Sequence, residues 1–163
     1  MDLSSPLQLR VDGRQSATAL TVARGTTRLL HSLGHVVVSE LPLPSGRRAD
    51  LVTLGQGGEI WIIEIKSSVA DLRADHKWAD YRQHCDRLFF ATTVDVPCDL
   101  FPPDTGLIVA DGFGAHIACE APAHRLQGAT RRSMTLAFAR AAALRLSLLA
   151  DPLGLRGEAF EQG

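Results

Sequence analysis

Hydrophobic and polar positions along the chain follow two periods and predict a regular series of elements. Apolar residues recur every three or four positions over 16–33, which predicts a helix that Ser16 caps and Gly34 ends. Three apolar runs rich in β-branched residues follow, bounded by prolines and by the glycine-rich turn at 55–58. These runs predict strands at 35–41, 49–54 and 59–66.

A second helical pattern follows the third strand. Apolar residues recur there at spacings of four, three, four and three, which predicts one continuous helix whose apolar face is formed by Ala74, Trp78, Tyr81, Cys85 and Leu88. Further runs then predict strands at 88–94, 106–110 and 116–119, the last two as a hairpin, and a final helix at 129–149.

The element order α-β-β-β-α-β-β-β-α is typical of an α/β fold. The third strand is apolar on both faces at 60–63, as expected for a central strand covered on both sides. A helix between the third and fourth strands would make those two strands parallel. We therefore predict a mixed central sheet flanked by helices, with an added C-terminal β-hairpin and helix. Residues 1–14 are predicted to be a flexible tail and 15–163 a single domain.

The apolar residues of the last helix, among them Leu136, Phe138 and Leu144, are expected to face the core, with a homodimer face as the alternative. The stretch 136–150 is interrupted by Arg140 and Arg145 and is interpreted as too short to span a bilayer. We therefore expect no membrane partner.

Composition and charge add little to this picture. The chain has 163 residues, 45% hydrophobic and 21% charged, which is ordinary for a globular protein. A net charge of −1 argues against a general nucleic-acid coat but allows a local basic rim. The three cysteines form no C-x-x-C pair and are expected to be reduced, and the N-terminus lacks the features of a signal peptide. These features favour a cytoplasmic protein.

Two acidic residues on neighbouring strands are the strongest candidates for chemistry. Asp50 and Glu64 each lie seven residues from Gly57. A hairpin centred on that glycine would place them opposite each other, where residues of antiparallel strands share a face. Lys66, two residues after Glu64, would lie on the same face. The sequence therefore predicts that two carboxylates and one ammonium group meet at one end of the sheet.

Facing carboxylates at positions 50 and 64 would repel each other, and burial would add a desolvation cost. A hard divalent cation such as Mg²⁺, or Mn²⁺ in its place, relieves both effects with oxygen ligands. Lys66 would then orient or activate a water molecule, or stabilise charge on a phosphate. The alternative is a surface ion pair between Asp50 and Lys66 with Glu64 solvated, and the spacing alone leaves both interpretations open.

A third carboxylate is available on the first strand. If the first two strands pair around Ser45, Glu40 lies opposite Asp50. Glu40 is the only acidic residue between Gly13 and Asp50, so we predict that it faces the acidic pair and binds metal directly or through water. The alternative is a solvent-facing glutamate at the end of a strand.

Four sequence strings carry a resemblance to a known family. They are RRAD at 47–50, IEIKSS at 63–68, DHKWADY at 75–81 and CDRLFFA at 85–91. The chain resembles the MmcB-like family of bacterial DNA-repair proteins, and its acidic motif resembles that of the PD-(D/E)XK nuclease superfamily. The similarity extends over nearly the whole chain.

This resemblance implies a restriction-endonuclease-like αβββαβ core over residues 16–94. It also implies that Asp50, Glu64 and the backbone carbonyl of Ile65 bind the metal and that Lys66 is catalytic. Many superfamily members carry a glutamate on the first helix, whereas residues 16–33 contain no acid. Either Glu40 takes that place or the site has fewer ligands.

The function implied is a metal-dependent DNA endonuclease in DNA repair that acts on mismatched, damaged or branched DNA. Arg47, Arg48 and Lys77 are candidate contacts to the DNA backbone, although a solvated rim is an alternative for Lys77. Other repair proteins and a second copy of the chain are further candidate partners. A DNA-binding module or adaptor that keeps the fold without turnover is the alternative function, and an RNA nuclease is a third.

Overall fold

Six strands lie side by side in chain order in one mixed sheet. The computed structural model describes residues 16–153, so the tail predicted at 1–14 lies outside the described residues. The strands are β1 (Val36–Pro42), β2 (Arg48–Leu54), β3 (Ile60–Ile65), β4 (Arg87–Thr92), β5 (Gly106–Ala110) and β6 (Ala115–Cys119). β3, β4 and β5 are parallel neighbours, and the other neighbouring pairs are antiparallel. The predicted mixed α/β sheet is confirmed.

Two long helices cover opposite faces of the sheet. α1 (Ala17–Ser32) begins at Ser16, whose hydroxyl accepts a hydrogen bond from the Ala19 N–H, and it ends before Gly34, whose φ is 81°. α1 packs on one face with β-strand residues such as Ile63. α3 (Gly128–Ala150) packs on the other face, with residues such as Ile62. Because side chains alternate along a strand, Asp50, Glu64 and Lys66 belong to the α3 face.

The segment that joins β3 to β4 is not the continuous helix predicted. It consists of a short helix α2 (Val69–Ala74) and a 3-10 helix at Trp78–His84, and Leu88 lies in β4. The break has a physical cause at Asp75. This residue has an extended backbone, and its carboxylate accepts the Lys77 N–H at 2.8 Å and pairs with Lys66. The apolar spacing was therefore correct for buried Tyr81 and Cys85 but wrong about the backbone between them and α2.

α3 contributes fewer residues to the core than its apolar sequence indicates. Met134 and Phe138 are buried, whereas Leu136 and Leu144 are about half exposed. The expectation that these apolar residues face the core is correct for Phe138 and wrong for the two leucines.

α3 is longer than the apolar stretch 136–150 that the sequence analysis considered, because it begins at Gly128. Its 23 residues have a mean hydropathy of 1.3 over the most apolar window, so length and composition alone would allow it to cross a membrane. Core helices of proteins that do not cross membranes pass the same test, which makes it weak evidence.

Candidate functional site

The strands that carry the acidic pair have the predicted register. β2 and β3 pair from Leu54↔Ile60 to Leu51↔Ile63, as a hairpin centred on Gly57 requires. The same register, continued by one residue, places Asp50 opposite Glu64. The ladder of paired residues ends at Leu51↔Ile63, and the acidic pair lies just beyond it, where side chains join the two strands.

Asp50 and Glu64 are each bonded to the backbone of the other strand. The Asp50 carboxylate accepts a hydrogen bond from the Ile65 N–H through Oδ2 at 2.8 Å. The Glu64 carboxylate accepts one from the Asp50 N–H through Oε1 at 3.1 Å. These two bonds replace the ladder at the strand end and fix one oxygen of each carboxylate.

Glu64 is buried and Asp50 is half-buried, and their removal from solvent changes the titration of both. Only 4% of Glu64 is exposed. Burial and the neighbouring charge of Asp50 raise the pKa of Glu64 well above its ordinary value. Burial also raises the pKa of Asp50, and the charges of Asp71 and Glu40 add to this effect. The pair therefore favours either a shared proton or a nearby cation, and the alternative of a solvated Glu64 is wrong.

Glu64→Gln is expected to stabilise the metal-free protein at neutral pH by about 1–2 kcal/mol. Glutamine keeps an oxygen for the Asp50 N–H and removes a buried charge. Because the pKa of Glu64 is raised on folding, the wild type should lose stability as pH rises from about 4.5 through the folded-state pKa. Urea unfolding in chelator at several pH values measures this difference.

The matched control for that measurement is Glu59→Gln. Glu59 lies just before β3, is 42% exposed in its side chain and pairs with Arg87. Its replacement should not stabilise the protein at pH 8, because the charge it removes is exposed and paired. A Glu64→Gln variant that is less stable than wild type at pH 8 would contradict the account of the acidic pair.

Lys66 has a partner that the sequence analysis did not name. Its Nζ lies 2.7 Å from Oδ2 of Asp75, and both side chains are about 10% exposed. Burial would lower the pKa of Lys66, but the hydrogen bond and charge of Asp75, with the charges of Glu64 and Asp50, raise it. Lys66 is therefore a cation at neutral pH.

Asp75 and Tyr81 complete the polar group around the acidic pair. Hydrogen bonds from Lys66 and from the backbone N–H groups of Lys77 and Trp78 outweigh burial and lower the pKa of Asp75. The Tyr81 hydroxyl donates to the Arg48 carbonyl at 3.2 Å. Burial and the charges of the nearby carboxylates raise the pKa of Tyr81, so its phenol stays protonated. Both residues lie in the string at 75–81, which was the available signal.

Glu40 lies where the predicted register places it but has an unusual backbone. β1 and β2 pair as Ser39↔Leu51 and Leu41↔Ala49, which leaves Glu40 across from Asp50. Its φ is 48°, a conformation that is rare for a residue other than glycine and is concentrated at functional sites. Its carboxylate lies 3.4 Å from Nη2 of Arg48. Metal binding by Glu40 stays a prediction.

The three candidate DNA contacts flank the acidic group. Arg48 lies two residues before Asp50 and its side chain is 51% exposed. Arg47 is bound to Asp80 at 2.7 Å, so this arginine is partly neutralised. Lys77 is exposed and lies two residues after Asp75. The structure thus places all three beside the site, and DNA binding by them stays a prediction.

The acidic pair fits a hard cation in its chemistry. A buried and a half-buried carboxylate with raised pKa values face each other, and each keeps a second oxygen beyond the one held by a backbone N–H. Within residues 16–153 no group of three or more histidine, cysteine or acidic side chains has an arrangement that could hold a metal ion. A cation at this pair would therefore need water or substrate oxygens as well.

Comparisons with known proteins agree with the resemblance. The solved structure of SPO1766, a protein of unknown function from Silicibacter pomeroyi, is similar with a TM-score of 0.81 and 42% sequence identity. The match covers 86% of this chain and 96% of that chain. No curated protein matches the sequence. The model of the family described as DNA repair protein MmcB-like matches residues 7–153. The chain therefore belongs to the MmcB-like family of DNA repair proteins.

Proposed function

We propose that this protein is a metal-dependent DNA endonuclease of DNA repair with a restriction-endonuclease-like core. The observation that carries the proposal is the pair formed by half-buried Asp50 and buried Glu64 beside Lys66, at the end where β2 and β3 part. Two carboxylates at adjacent strand ends can hold a divalent cation, and a lysine beside them can stabilise the charge that develops on a phosphodiester during hydrolysis.

The topology supports this proposal. The order α1-β1-β2-β3-α2-β4, with β3 and β4 parallel, agrees with the αβββαβ core of the PD-(D/E)XK superfamily. The crossover is short and partly 3-10, yet it supplies Asp75 and Tyr81 to the polar group.

Mg²⁺ or Mn²⁺ is the cofactor that the donor set favours. Asp50 and Glu64 would hold it, with the Ile65 carbonyl and Glu40 as the further candidate ligands. When bound, such a cation supplies Lewis-acid stabilisation of the phosphate and lowers the pKa of a water molecule.

The chain's own residues define the remaining roles. Lys66 is protonated and held by Asp75, so it stabilises negative charge on the phosphate rather than accepting a proton. Tyr81 keeps its proton and anchors the 3-10 helix to the strand that carries Asp50. Arg48 and Lys77, both exposed, would contact flanking phosphates and position the DNA without reading its sequence.

Cleavage assays with purified full-length protein test the proposal. Nicked, mismatched, branched and single-stranded DNA are incubated with Mg²⁺ or Mn²⁺, with matched RNA in parallel. We expect cleavage of at least one DNA substrate and a loss of at least about 10³-fold in Asp50→Ala, because the cation would lose a ligand. Glu40→Gln should raise the metal concentration needed for half-maximal rate. Cleavage that is unchanged in Asp50→Ala would reject the site.

A DNA-binding module without turnover is the second candidate. The observation in its favour is that α1 carries no acidic side chain, so that a third protein carboxylate would have to come from Glu40 on β1. This function predicts salt-dependent DNA binding, with no cleavage of any substrate in either metal. If Asp50→Ala abolished repair in cells while DNA binding stayed intact, the binding-module function would be rejected.

A further inference from the structure

The turn between β5 and β6, at residues 111–114, carries an exposed aromatic side chain. Phe113 lies in this turn, and 85% of the residue is accessible to solvent. A single exposed apolar residue is common on protein surfaces and does not by itself indicate a function. Three further observations set Phe113 apart: the bonds that hold the turn, the charges beside it and its place on the sheet.

Hydrogen bonds within the turn fix its backbone. Oδ1 of Asp111 accepts the N–H groups of Phe113 and Gly114 at 2.7 and 2.9 Å. The Asp111 N–H in turn donates to the Gly114 carbonyl at 2.9 Å. A ring on a backbone that is already ordered loses less conformational entropy when it binds a ligand. The turn therefore presents Phe113 to solvent in a prepared position.

α1 holds the same turn from the side. Nε of Arg24 donates to the Gly112 carbonyl at 3.0 Å, and Nη1 of Arg28 donates to the Phe113 carbonyl at 2.9 Å. Gly25 lies between the two arginines, and a Cβ there would collide with carbonyl oxygens of the turn. Helix and turn are thus in direct backbone contact, which only glycine permits at this position.

The charges beside the ring favour an anionic ligand. Arg24 and Arg28 are exposed, and within residues 16–153 neither lies at ion-pair distance from a carboxylate. A guanidinium has five N–H donors, so the bond to the turn leaves others for a ligand. The carboxylate of Asp111 opposes these two cations with a single charge. An aromatic ring beside cations is the combination on which bases of single-stranded nucleic acid stack.

The turn and the acidic site share one edge of the sheet. β3, β4 and β5 are parallel, so the end of β3, with Glu64 and Lys66, and the end of β5 face the same way. Ile65 and Ile108 lie level with each other through β4, and the turn begins three residues after Ile108. β5 lies about 10 Å from β3, because neighbouring strands are about 4.8 Å apart. This distance corresponds to about three nucleotides of a DNA strand.

We propose that Phe113 stacks on an unpaired base of DNA bound along this edge, while Arg24 and Arg28 contact neighbouring phosphates. The inference rests on the DNA binding included in the proposed function. It narrows the substrate to DNA with an unpaired base, such as a single strand or a bulge. In a matched duplex each base is covered by its neighbours, so the ring could stack only after a costly opening of the helix.

Binding of labelled oligonucleotides to the full-length protein tests the proposal without requiring cleavage. Fluorescence anisotropy in chelator gives dissociation constants for a single strand, a duplex with a one-base bulge and the matched duplex. Phe113→Ala should raise the dissociation constant of the single strand and of the bulged duplex about 5–100-fold, as expected for one lost stacking contact. The constant of the matched duplex should change less than about twofold, because it offers no free base face.

Three substitutions serve as controls. Val94 follows β4 at the same edge and is 83% exposed, but it is not aromatic, so Val94→Ala should leave all three dissociation constants nearly unchanged. Phe113→Tyr keeps the aromatic face and should retain wild-type affinity. Phe113→Leu keeps apolar bulk without that face and should lose most of the preference for unpaired DNA. Thermal melts should show every variant folded, since both side chains are exposed.

Four outcomes would overturn the proposal. Unchanged affinity of Phe113→Ala for every DNA would reject a contact with the base, and an equal loss on the matched duplex would reject the preference for unpaired bases. Wild-type affinity in Phe113→Leu would replace stacking by a simple apolar contact. If Phe113→Ala bound all DNA normally but did not support repair in cells, the ring would be assigned to a protein partner.

The failure of this inference is distinguishable from the failure of the proposed nuclease. Binding of unpaired DNA that depends on Phe113, without cleavage of any substrate, would reject the nuclease and keep the stacking contact. Metal-dependent cleavage with equal affinity and rate in wild type and Phe113→Ala would keep the nuclease and reject the stacking contact.

Discussion

Lys66→Met is expected to lower the rate of DNA cleavage by about 10²–10³-fold, the magnitude typical of a lost electrostatic contact in a transition state. The ammonium group lies beside the acidic pair. Lys66 is buried and lies two residues after Glu64. Methionine has a similar length and cannot carry charge. Single-turnover cleavage at saturating Mg²⁺ measures the effect. This prediction rests on the proposed nuclease function.

The same substitution leaves Asp75 without its ionic partner and should also destabilise the protein. Asp75 keeps its bond from the Lys77 N–H, so part of its compensation remains. Adding Asp75→Asn to Lys66→Met should restore stability, because the unpaired charge is removed, but it should not restore cleavage. A double variant that regains the wild-type rate would show that Lys66 acts only through folding.

Lys77→Met is the matched control for the lysine prediction. Lys77 is exposed and lies in the same polar region, two residues after Asp75. Its loss should weaken DNA binding modestly at low salt and should change the single-turnover rate little, since a phosphate contact of this kind positions the substrate. If Lys77→Met lowered the single-turnover rate as much as Lys66→Met does, the catalytic role assigned to Lys66 would be rejected.

The sequence predicted the acidic pair because strand register follows from turn symmetry. Gly57 marked the centre of a short hairpin, and the period of two along each strand then determined which side chains face each other. The same reasoning placed Glu40 across from Asp50, although the longer turn at 43–47 made that register less constrained. Local pattern is sufficient wherever the partner lies within one hairpin.

Long-range pairing explains what the sequence did not predict. Asp75 ends α2 because it binds Lys66 from another element, and no local propensity reports such a contact. The exposure of Leu136 and Leu144 has a related cause, since α3 fills its sheet face with Met134 and Phe138 and with the alanines packed beside them, Ala137, Ala141 and Ala142. Apolar spacing identifies an apolar helix face, but it does not show whether that face packs against this chain's core.

Asp86→Ala is expected to cost about 3–5 kcal/mol in free energy of unfolding, or roughly 6–20 °C in melting temperature. The Asp86 carboxylate accepts hydrogen bonds from the Ile60 and Leu126 N–H groups at 2.8 and 3.0 Å. Arg131 of α3 donates to both of its oxygens, at 2.7 and 2.8 Å. Alanine would leave these donors without their acceptor in a largely buried position.

Acid titration distinguishes this ionic role of Asp86 from simple packing. Burial opposes ionisation, but the bonds from Arg131 and from the two N–H groups prevail and lower the pKa of Asp86 below its ordinary 3.8. Its contribution to stability is therefore present above about pH 4 and is lost as pH falls through the folded-state pKa. The excess stability of wild type over Asp86→Asn, measured by urea unfolding, should accordingly shrink between pH 5 and 2.

Asp111→Ala provides the comparison for Asp86. Its carboxylate also accepts two backbone N–H bonds, from Phe113 and Gly114, but it lies in an exposed turn. Water can replace it there, so its removal should destabilise the protein far less than Asp86→Ala does. If the two substitutions destabilised the protein equally, burial and the ion pair with Arg131 would not explain the contribution of Asp86, whose bonds join β3 and α3 at the start of β4.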